Sequence, residues 1–186
     1  MPRLGHCPIV VVAEAVGYQG GRFSGIAMTC ERMLLGHHPT IKAVQVIPPT
    51  LPMHGRTSRI DSPCIAKQTQ REKGFNEPTD TVVWGELVEN QISPNVIYLW
   101  NIFPFHPHKE GVPLSNRTPT ETELQAGWVY TRQLLALNGQ AIVVAVGKKA
   151  AHILGTFGVD AITLRHPANG GANQYREGFR RLITSL

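Results

Sequence analysis

The order of short apolar runs along the chain constrains its fold more than any other feature. Five strand-length runs rich in aliphatic residues are separated by helix-like segments and long loops; they cover residues 9–13, 41–47, 96–100, 141–146 and 162–164. A strand that is apolar on both faces is typical of a parallel sheet covered by helices. The alternation therefore predicts an α/β fold with a mainly parallel sheet between two helical layers.

Capping residues and apolar spacing predict the helices. The stretch Thr118-Pro119-Thr120-Glu121 places a threonine at the cap, a proline at the first helical position and a glutamate three residues after the cap. It predicts a helix that runs to Leu137. Asp80 is a candidate cap for a second helix. Further helices are predicted up to Gly36 and over residues 148–154 and 173–183, and residues 48–78, with Pro49, Pro52, Pro63 and Pro78, are predicted to form a loop.

Length and charge limit the classes of protein that the sequence can encode. The 186 residues fit one domain, 1–186, that can bury a sizeable core. The net charge of +5 is unevenly spread: residues 42–75 and 148–186 each hold six Lys and Arg against two acids, whereas residues 77–90 hold four acids and no base. This distribution predicts a basic face directed at a polyanionic partner, if the two basic regions flank the same site.

The ends and the cysteines bear on location and cofactors. No apolar run has the length of a membrane helix, and the N-terminus lacks the basic and apolar regions of a signal peptide, so we expect a cytoplasmic protein without membrane contact. The cysteines are odd in number and widely spaced: Cys7, Cys30 and Cys64. We therefore predict reduced thiols and no bound metal or other cofactor.

Three chemically distinct side chains follow three of the predicted strands. Glu14 follows the first strand, Asn101 follows the strand at 96–100, and His166 follows the last. Singly, they could be a capping or surface acid, a turn residue and a buried structural histidine. Because ligands bind beyond the carboxyl ends of parallel strands, their equivalent positions favour a common site. The glycine-rich loop after Glu14 lacks both the dinucleotide-binding and the P-loop patterns, which disfavours a nucleotide-cofactor domain.

Several short motifs occur in one order from residue 9 to about 181. They are Ala13-Glu14-Ala15-Val16-Gly17, Gly25-Ile26-Ala27-Met28, Asn101, Asn116-Arg117-Thr118-Pro119-Thr120, Val146-Gly147 with Ala150-Ala151, and His166-Pro167-Ala168. In this order they resemble the uracil-DNA glycosylase superfamily, and most closely its iron–sulfur branch, which carries Gly-Glu-Ala-Pro-Gly, Gly-x-Pro-Phe, Asn-Arg-Thr-Pro and His-Pro motifs. The resemblance implies a three-layer sandwich with a central, mainly parallel four-stranded sheet.

The resemblance also implies an activity and assigns roles to residues. It implies a monomeric DNA glycosylase that flips a pyrimidine, uracil by default, out of single- or double-stranded DNA and hydrolyses its N-glycosidic bond. By resemblance, His166 stabilises the departing base and Glu14 orients a water near the sugar. The implied base-binding residues are Asn101, Met28, Gly17, Tyr18 and Ala15, and the implied DNA-backbone contacts are Ser115, Arg117, Lys148, Asn169 and Gly170.

The sequence departs from the family pattern at four positions. Phe105 stands where the iron–sulfur branch has a cysteine, so we predict no cluster. Val16 replaces the proline of the first motif, and Met28 replaces the aromatic that stacks on the base, a role that Tyr18 or Phe23 could also take. Gly17 stands where other branches place a tyrosine that excludes 5-substituents. These changes predict a different or roomier pocket near the pyrimidine 5-position.

The departures leave several alternatives open. A 5-modified cytosine is a candidate substrate, which would indicate defence against phage DNA rather than repair. A non-catalytic protein that binds a flipped base or an abasic site is the main alternative, and a small-nucleotide-binding domain without a DNA role is a weaker one. Tyr175 or the 103–114 loop could supply the wedge that enters the helix. His106 and His108 are interpreted as loop histidines near phosphates rather than a metal pair.

Overall fold

The computed structural model of the chain describes residues 7–48, 51 and 55–186. Pro49 and Pro52 of the predicted loop, and the N-terminal residues 1–6, lie outside the described residues. Across the described part the chain forms four strands and eight helices. In chain order they are β1 (Ile9–Ala15), α1 (Gly21–Ser24), α2 (Glu31–Leu34), α3 (Ala43–Val46), α4 (Gln68–Lys73), α5 (Pro78–Glu89), β2 (Ile97–Phe103), α6 (Glu121–Leu137), β3 (Ile142–Val146), α7 (Lys148–Thr156), β4 (Ile162–Leu164) and α8 (Ala172–Thr184).

The four strands form one parallel sheet in the order β2-β1-β3-β4. Successive side chains of β1 point to opposite faces, as strand geometry requires. Ile9 and Val11 join a core that contains residues of α5 and α8, whereas Val10 and Val12 join one that contains residues of α6 and α7. The sheet therefore lies between two helical layers, and the predicted three-layer α/β sandwich with a four-stranded sheet is confirmed.

The prediction of a strand over residues 41–47 is wrong, because this segment contains the short helix α3. Its buried positions include Ala43, Val46 and Ile47, which is the spacing of a helix face rather than the alternation of a strand. The Gln45 side chain also accepts a hydrogen bond from the Lys42 backbone at 2.7 Å, which satisfies a free amide at the start of the helix. The apolar run was too short for its composition to distinguish the two structures.

Two helix caps differ from the predicted ones. Helix α6 is capped by Thr120, whose hydroxyl accepts from the Glu123 amide, and Glu123 accepts in return from the Thr120 amide. Residues 118–121 and 120–123 have the same capping pattern, so the sequence could not choose between them. Asp80 does not cap α5, which begins at Pro78; it is a buried residue of the first turn.

Charged residues hold the periphery of the fold together. The buried Glu86 of α5 pairs with Arg180 of α8 at 2.9 Å, so this acid, one of the four in residues 77–90, makes an interhelical contact. In the predicted loop 48–78, which contains α4, Arg56 and Arg71 donate to backbone carbonyls of their own segment. These arginines hold the segment in shape. No helix within the described residues is long and apolar enough to cross a membrane.

The strand order determines where a ligand can bind. After β1 the chain adds β2 on one side and β3 on the other, so the connections diverge at the carboxyl end of β1. Such a divergence opens a crevice at the carboxyl edge of a parallel sheet. Glu14 is the second-last residue of β1, and Asn101 of β2 pairs with Ala13 in the strand register. The topology thus brings these two predicted site residues to the same edge.

Candidate active site

A cavity of ≈ 280 Å³ opens at the carboxyl edge of the sheet. Glu14, Asn101 and His166, predicted from three separate strand ends, all line it. The predicted base-binding residues Ala15, Gly17 and Met28 line it as well. The volume is slightly below the range of about 300–1,000 Å³ that is usual for sites of drug-sized ligands. It suits a single base better than a large cofactor.

The backbone around His166 fixes the orientation of its ring. The Ala168 amide donates to His166 Nδ1 at 3.1 Å, so the neutral ring carries its proton on Nε2. Burial, together with the nearby charges of Arg165 and Lys149, lowers the pKa of His166 below its ordinary value. Gly147 has a φ of 89°, and a Cβ there would lie 2.9 Å from His166 Cβ. Because the residue after β3 is a glycine, its backbone can pack directly against the side chain of His166.

Asn101 lines the cavity and has an unpaired amide oxygen. Asn101 is only 2% exposed, and its side-chain Oδ1 is buried without a hydrogen-bond partner among the described residues. Buried amides are almost always paired, because an unpaired one retains the full cost of losing water. The unpaired oxygen makes Asn101 a candidate for binding a ligand in the cavity.

Glu14 lies between the cavity and the positive groups beside it. About a quarter of its side chain is exposed (24%), and its Oε2 lies 3.8 Å from Lys149 Nζ. Lys149 also donates to Thr118 Oγ1 at 2.9 Å, so its ammonium is shared between the two. Glu14 therefore contributes a partly exposed carboxylate to the lining of the cavity.

Met28 occupies the position predicted to support the base. It is 4% exposed, lines the cavity and has a φ of 47°, which is rare for a residue other than glycine. Strained backbone of this kind is found at functional sites, where the surrounding structure maintains it. Tyr18 and Phe23 are not among the residues that line the cavity; their rings pack on Phe75, with centroids 6.0 and 4.7 Å away.

Two acids that the sequence analysis did not assign to the site also line the cavity. Burial raises the pKa of Glu77, although the Thr79 amide opposes the shift. Burial and the charge of Glu77 raise the pKa of Asp80 well above its ordinary value. Acids at the start of a helix are common because they complement its dipole. The sequence pattern therefore did not distinguish Glu77 and Asp80 from ordinary acids at a helix start. Asn116 and Arg117 complete this wall.

A second, wider groove of ≈ 720 Å³ runs beside the cavity at the ends of β1, β3 and β4. Glu14 and His166 line both the groove and the cavity, and the lining of the groove also includes three cations: Lys148, Lys149 and Arg165. Lys148 was predicted as a DNA-backbone contact; Lys149 and Arg165 were not. The turn after His166 contains Asn169 and Gly170, both with positive φ. Three exposed cations therefore lie along one edge of the site.

The loop between β2 and α6 uses most of its polar groups internally. The Arg117 guanidinium forms a two-bond pair with Glu123 at 2.6 and 2.7 Å, and the Ser115 hydroxyl donates to Val112 O. His106 accepts from Arg22 at 2.9 Å and is 2.7 Å from Ser115 O, so both of its nitrogens have partners. The DNA-backbone roles of Ser115 and Arg117 stay predictions, and both side chains would have to exchange partners.

Tyr175 cannot be the predicted wedge, because its side chain is fully buried in the core. The cysteines also lie in different surroundings: Cys7 donates to Asn95 O, Cys30 is buried near Asn76, and Cys64 is exposed. Phe105 occupies the position where the resemblance would require a cluster ligand. No group of three metal-ligating side chains occurs in the described ranges, so the residues present do not fit an iron–sulfur cluster.

Comparison with known proteins assigns the chain to a family. The sequence model of the uracil DNA glycosylase superfamily matches residues 61–184, which is well over half of the chain. No individual curated protein matches significantly. The matched range includes Asn101 and His166, and the fold places Glu14 from the preceding strand beside them. The chain therefore belongs to the uracil-DNA glycosylase superfamily.

Proposed function

We propose that the protein is a monofunctional DNA N-glycosylase that binds a flipped pyrimidine in the cavity and hydrolyses its N-glycosidic bond. The observation that carries this proposal is the meeting of Glu14, Asn101 and His166 in one base-sized cavity. Superfamily membership supports a glycosylase type of function and DNA binding in general. The residue roles below go beyond it.

Recognition begins when the nucleotide leaves the base stack, at a cost of a few kcal/mol. Asn101 offers an unpaired amide to the edge of the base, and Met28 provides an apolar surface for its face. Methionine is flexible and polarizable, so this surface adapts to different rings. In this proposal the Asn101 amide orients the flipped base, and the Met28 side chain packs against the face of the base.

Bond breaking places negative charge on the departing base and positive charge on the sugar. The base leaves C1′ with the bonding electron pair while His166 Nε2–H donates to a base carbonyl. Because the ring is already oriented by the Ala168 amide, it needs little reorganisation to stabilise that charge. Glu14 orients the water whose oxygen bonds to C1′, and the proton released from this water passes to solvent.

The groove of Lys148, Lys149 and Arg165 suits a phosphate backbone beside the cavity. Each neutralised phosphate releases counterions, so binding through these cations should weaken as salt rises. Gly17 leaves the cavity without a side chain where related enzymes exclude 5-substituents. We therefore keep uracil as the default substrate and a 5-modified cytosine, as in modified phage DNA, as the second candidate.

The test is a panel of oligonucleotides that contain uracil, thymine, hypoxanthine or a 5-modified cytosine, each scored for abasic sites. We expect Glu14→Gln and His166→Ala to lose about 100-fold or more in turnover on the best substrate while still binding DNA. The exposed residues Glu121 and His152 supply matched controls, Glu121→Gln and His152→Ala, which should retain activity.

Two results would contradict the proposal. Near-normal turnover by Glu14→Gln or His166→Ala would remove the assigned roles. Tight, salt-sensitive DNA binding without an abasic product from any base would favour the non-catalytic flipped-base binder, an alternative motivated by Val16 and Met28 in the cavity wall.

A further inference from the structure

Three acidic side chains are buried in the described part of the chain: Glu31, Asp80 and Glu86. Two of them have a full set of donors. Glu31 accepts from the amides of Thr57 and Ser58 at 2.9 and 2.8 Å and from the Ser58 hydroxyl, and Glu86 pairs with Arg180. These two acids are structural, because their charges are compensated within the fold.

Asp80 differs from the other two acids in having no donor. Its residue is 3% exposed, its Oδ2 lacks a hydrogen-bond partner, and it lines the proposed base cavity. Gly20 makes room for it, since a Cβ at Gly20 would lie 2.6 Å from Asp80 Oδ2. Asn101, which comes from β2 and lines the same cavity, also has a buried and unpaired side-chain oxygen, Oδ1. Asp80 and Asn101 thus each keep a buried acceptor oxygen without a partner among the described residues, and both residues line the same cavity.

Glu77 adds a second carboxyl to this wall without a compensating cation. No ion pair joins Glu77 or Asp80 to a basic residue in the described ranges, and Arg117, which also lines the cavity, is held by Glu123. Two neighbouring carboxyls do not readily ionise together, and because burial and the charge of Glu77 raise the pKa of Asp80 well above its ordinary value, Asp80 is the second of the two to lose its proton. The pair then has four oxygens and one proton, so it is rich in hydrogen-bond acceptors.

We propose that Glu77 and Asp80 form a base-selecting pair that accepts hydrogen bonds from the exocyclic amino group of a 4-aminopyrimidine, a base of the cytosine class. Carboxyl groups are the side chains that accept from the cytosine amino group in DNA recognition. The proton on Asp80 faces ring N3, which is an acceptor in this class, and His166 faces the 2-carbonyl that both classes share. A 4-oxo base would place its carbonyl oxygen against the acceptor-rich pair.

The pair deepens the glycosylase function proposed above and rests on it; of the two substrates named there, it favours the 5-modified cytosine over uracil. Cytosine is a normal base of DNA, so its amino group alone cannot mark a substrate. The 5-position must supply the remaining discrimination, and Gly17 leaves space for it. A Cβ at Gly17 would lie 3.6 Å from Glu77 Oε2 and 3.8 Å from Asn116 Nδ2, so a 5-substituent in this direction would meet polar groups.

The experiment compares two oligonucleotides that differ only at the pyrimidine 4-position: one carries 5-hydroxymethylcytosine and the other 5-hydroxymethyluracil. Binding is measured with 2′-fluoroarabino analogues, which resist hydrolysis, and turnover is measured with the natural sugars. We expect the chain to bind the 4-amino analogue at least about tenfold more tightly. Glu77→Gln with Asp80→Asn should reduce this preference to within about threefold, because amides can donate to a 4-carbonyl. The exposed Glu72 provides the control, Glu72→Gln.

The outcomes separate the two proposals. Preference for the 4-oxo analogue, equal binding of the two, or an unchanged preference in the double variant would overturn the selecting role. A 4-amino preference that the double variant loses supports the role even if neither oligonucleotide yields an abasic site, and that absence would count against the glycosylase function. An abasic product from the 4-oxo oligonucleotide, together with binding affinities that are the same in the parent and the double variant, would support the glycosylase function. It would reject the selecting role of Glu77 and Asp80.

Discussion

Replacing Asp80 by asparagine should make the protein more stable at neutral pH. Asp80 is buried with no hydrogen-bond donor among the described residues and lies near the charge of Glu77, and its pKa in the folded state is raised well above the ordinary 3.8. The folded state therefore holds a proton that the unfolded state releases, and stability falls as pH rises above the ordinary value. Asparagine keeps the size and has no proton to release. Because each unit by which folding raises the pKa corresponds to about 1.4 kcal/mol of destabilisation at higher pH, and the asparagine amide is no better paired than the protonated carboxyl, we expect a gain of at least about 1 kcal/mol at neutral pH.

For a chain of this length, that gain is a rise of about 2–4 °C in Tm or more. The assay is thermal unfolding of the parent, Asp80→Asn and Glu72→Gln from pH 4 to pH 8. The Tm difference between Asp80→Asn and the parent should be near zero at pH 4 and should grow as pH rises, whereas Glu72→Gln, at an exposed acid, should show no such trend. A Tm of Asp80→Asn at or below the parent's at pH 7–8, or a difference that shrinks with rising pH, would refute the reasoning. The other ionisable groups that line the cavity, which are Glu14, Glu77, Arg117 and His166, are common to all three proteins.

The remaining predictions concern the backbone at the site and a helix cap. Gly147→Ala should lower the free energy of unfolding by about 1–2 kcal/mol, because its φ of 89° is unfavourable for alanine. It should also reduce abasic-site formation by about tenfold or more, since the new Cβ would displace His166. Gly158→Ala is the matched control: its φ is 75° and nothing lies within 4 Å, so stability should fall while activity persists, and equal activity losses would contradict the positioning role. Thr120→Ala should cost about 1 kcal/mol in denaturant unfolding, and a larger effect of Thr118→Ala would contradict the observed cap.

The parts of the fold that the sequence predicted are those set by local pattern and chain order. The four observed strands coincide with apolar runs, and parallel order alone brings strand ends to one edge, which is why Glu14, Asn101 and His166 could be grouped. Residues 41–47 were misassigned because four or five apolar positions fit a short helix as well as a strand. The pairing of Arg117 with Glu123 and the burial of Tyr175 depend on the folded structure, and the spacing of residues in the sequence does not reveal them.

Glu77 and Asp80 show how a helix start can conceal a site. In the sequence they have the composition of an ordinary first turn, and at a solvated helix end their charges would be favourable. In the fold, α5 begins against the cavity, so the same positions lose water without gaining a cation. Glu86, two turns further along the same helix, is also buried, but there Arg180 approaches it. What separates the two acids is therefore what the neighbouring elements supply: Arg180 reaches Glu86, whereas no described residue donates to Asp80, which is why we propose that a bound base supplies the donor.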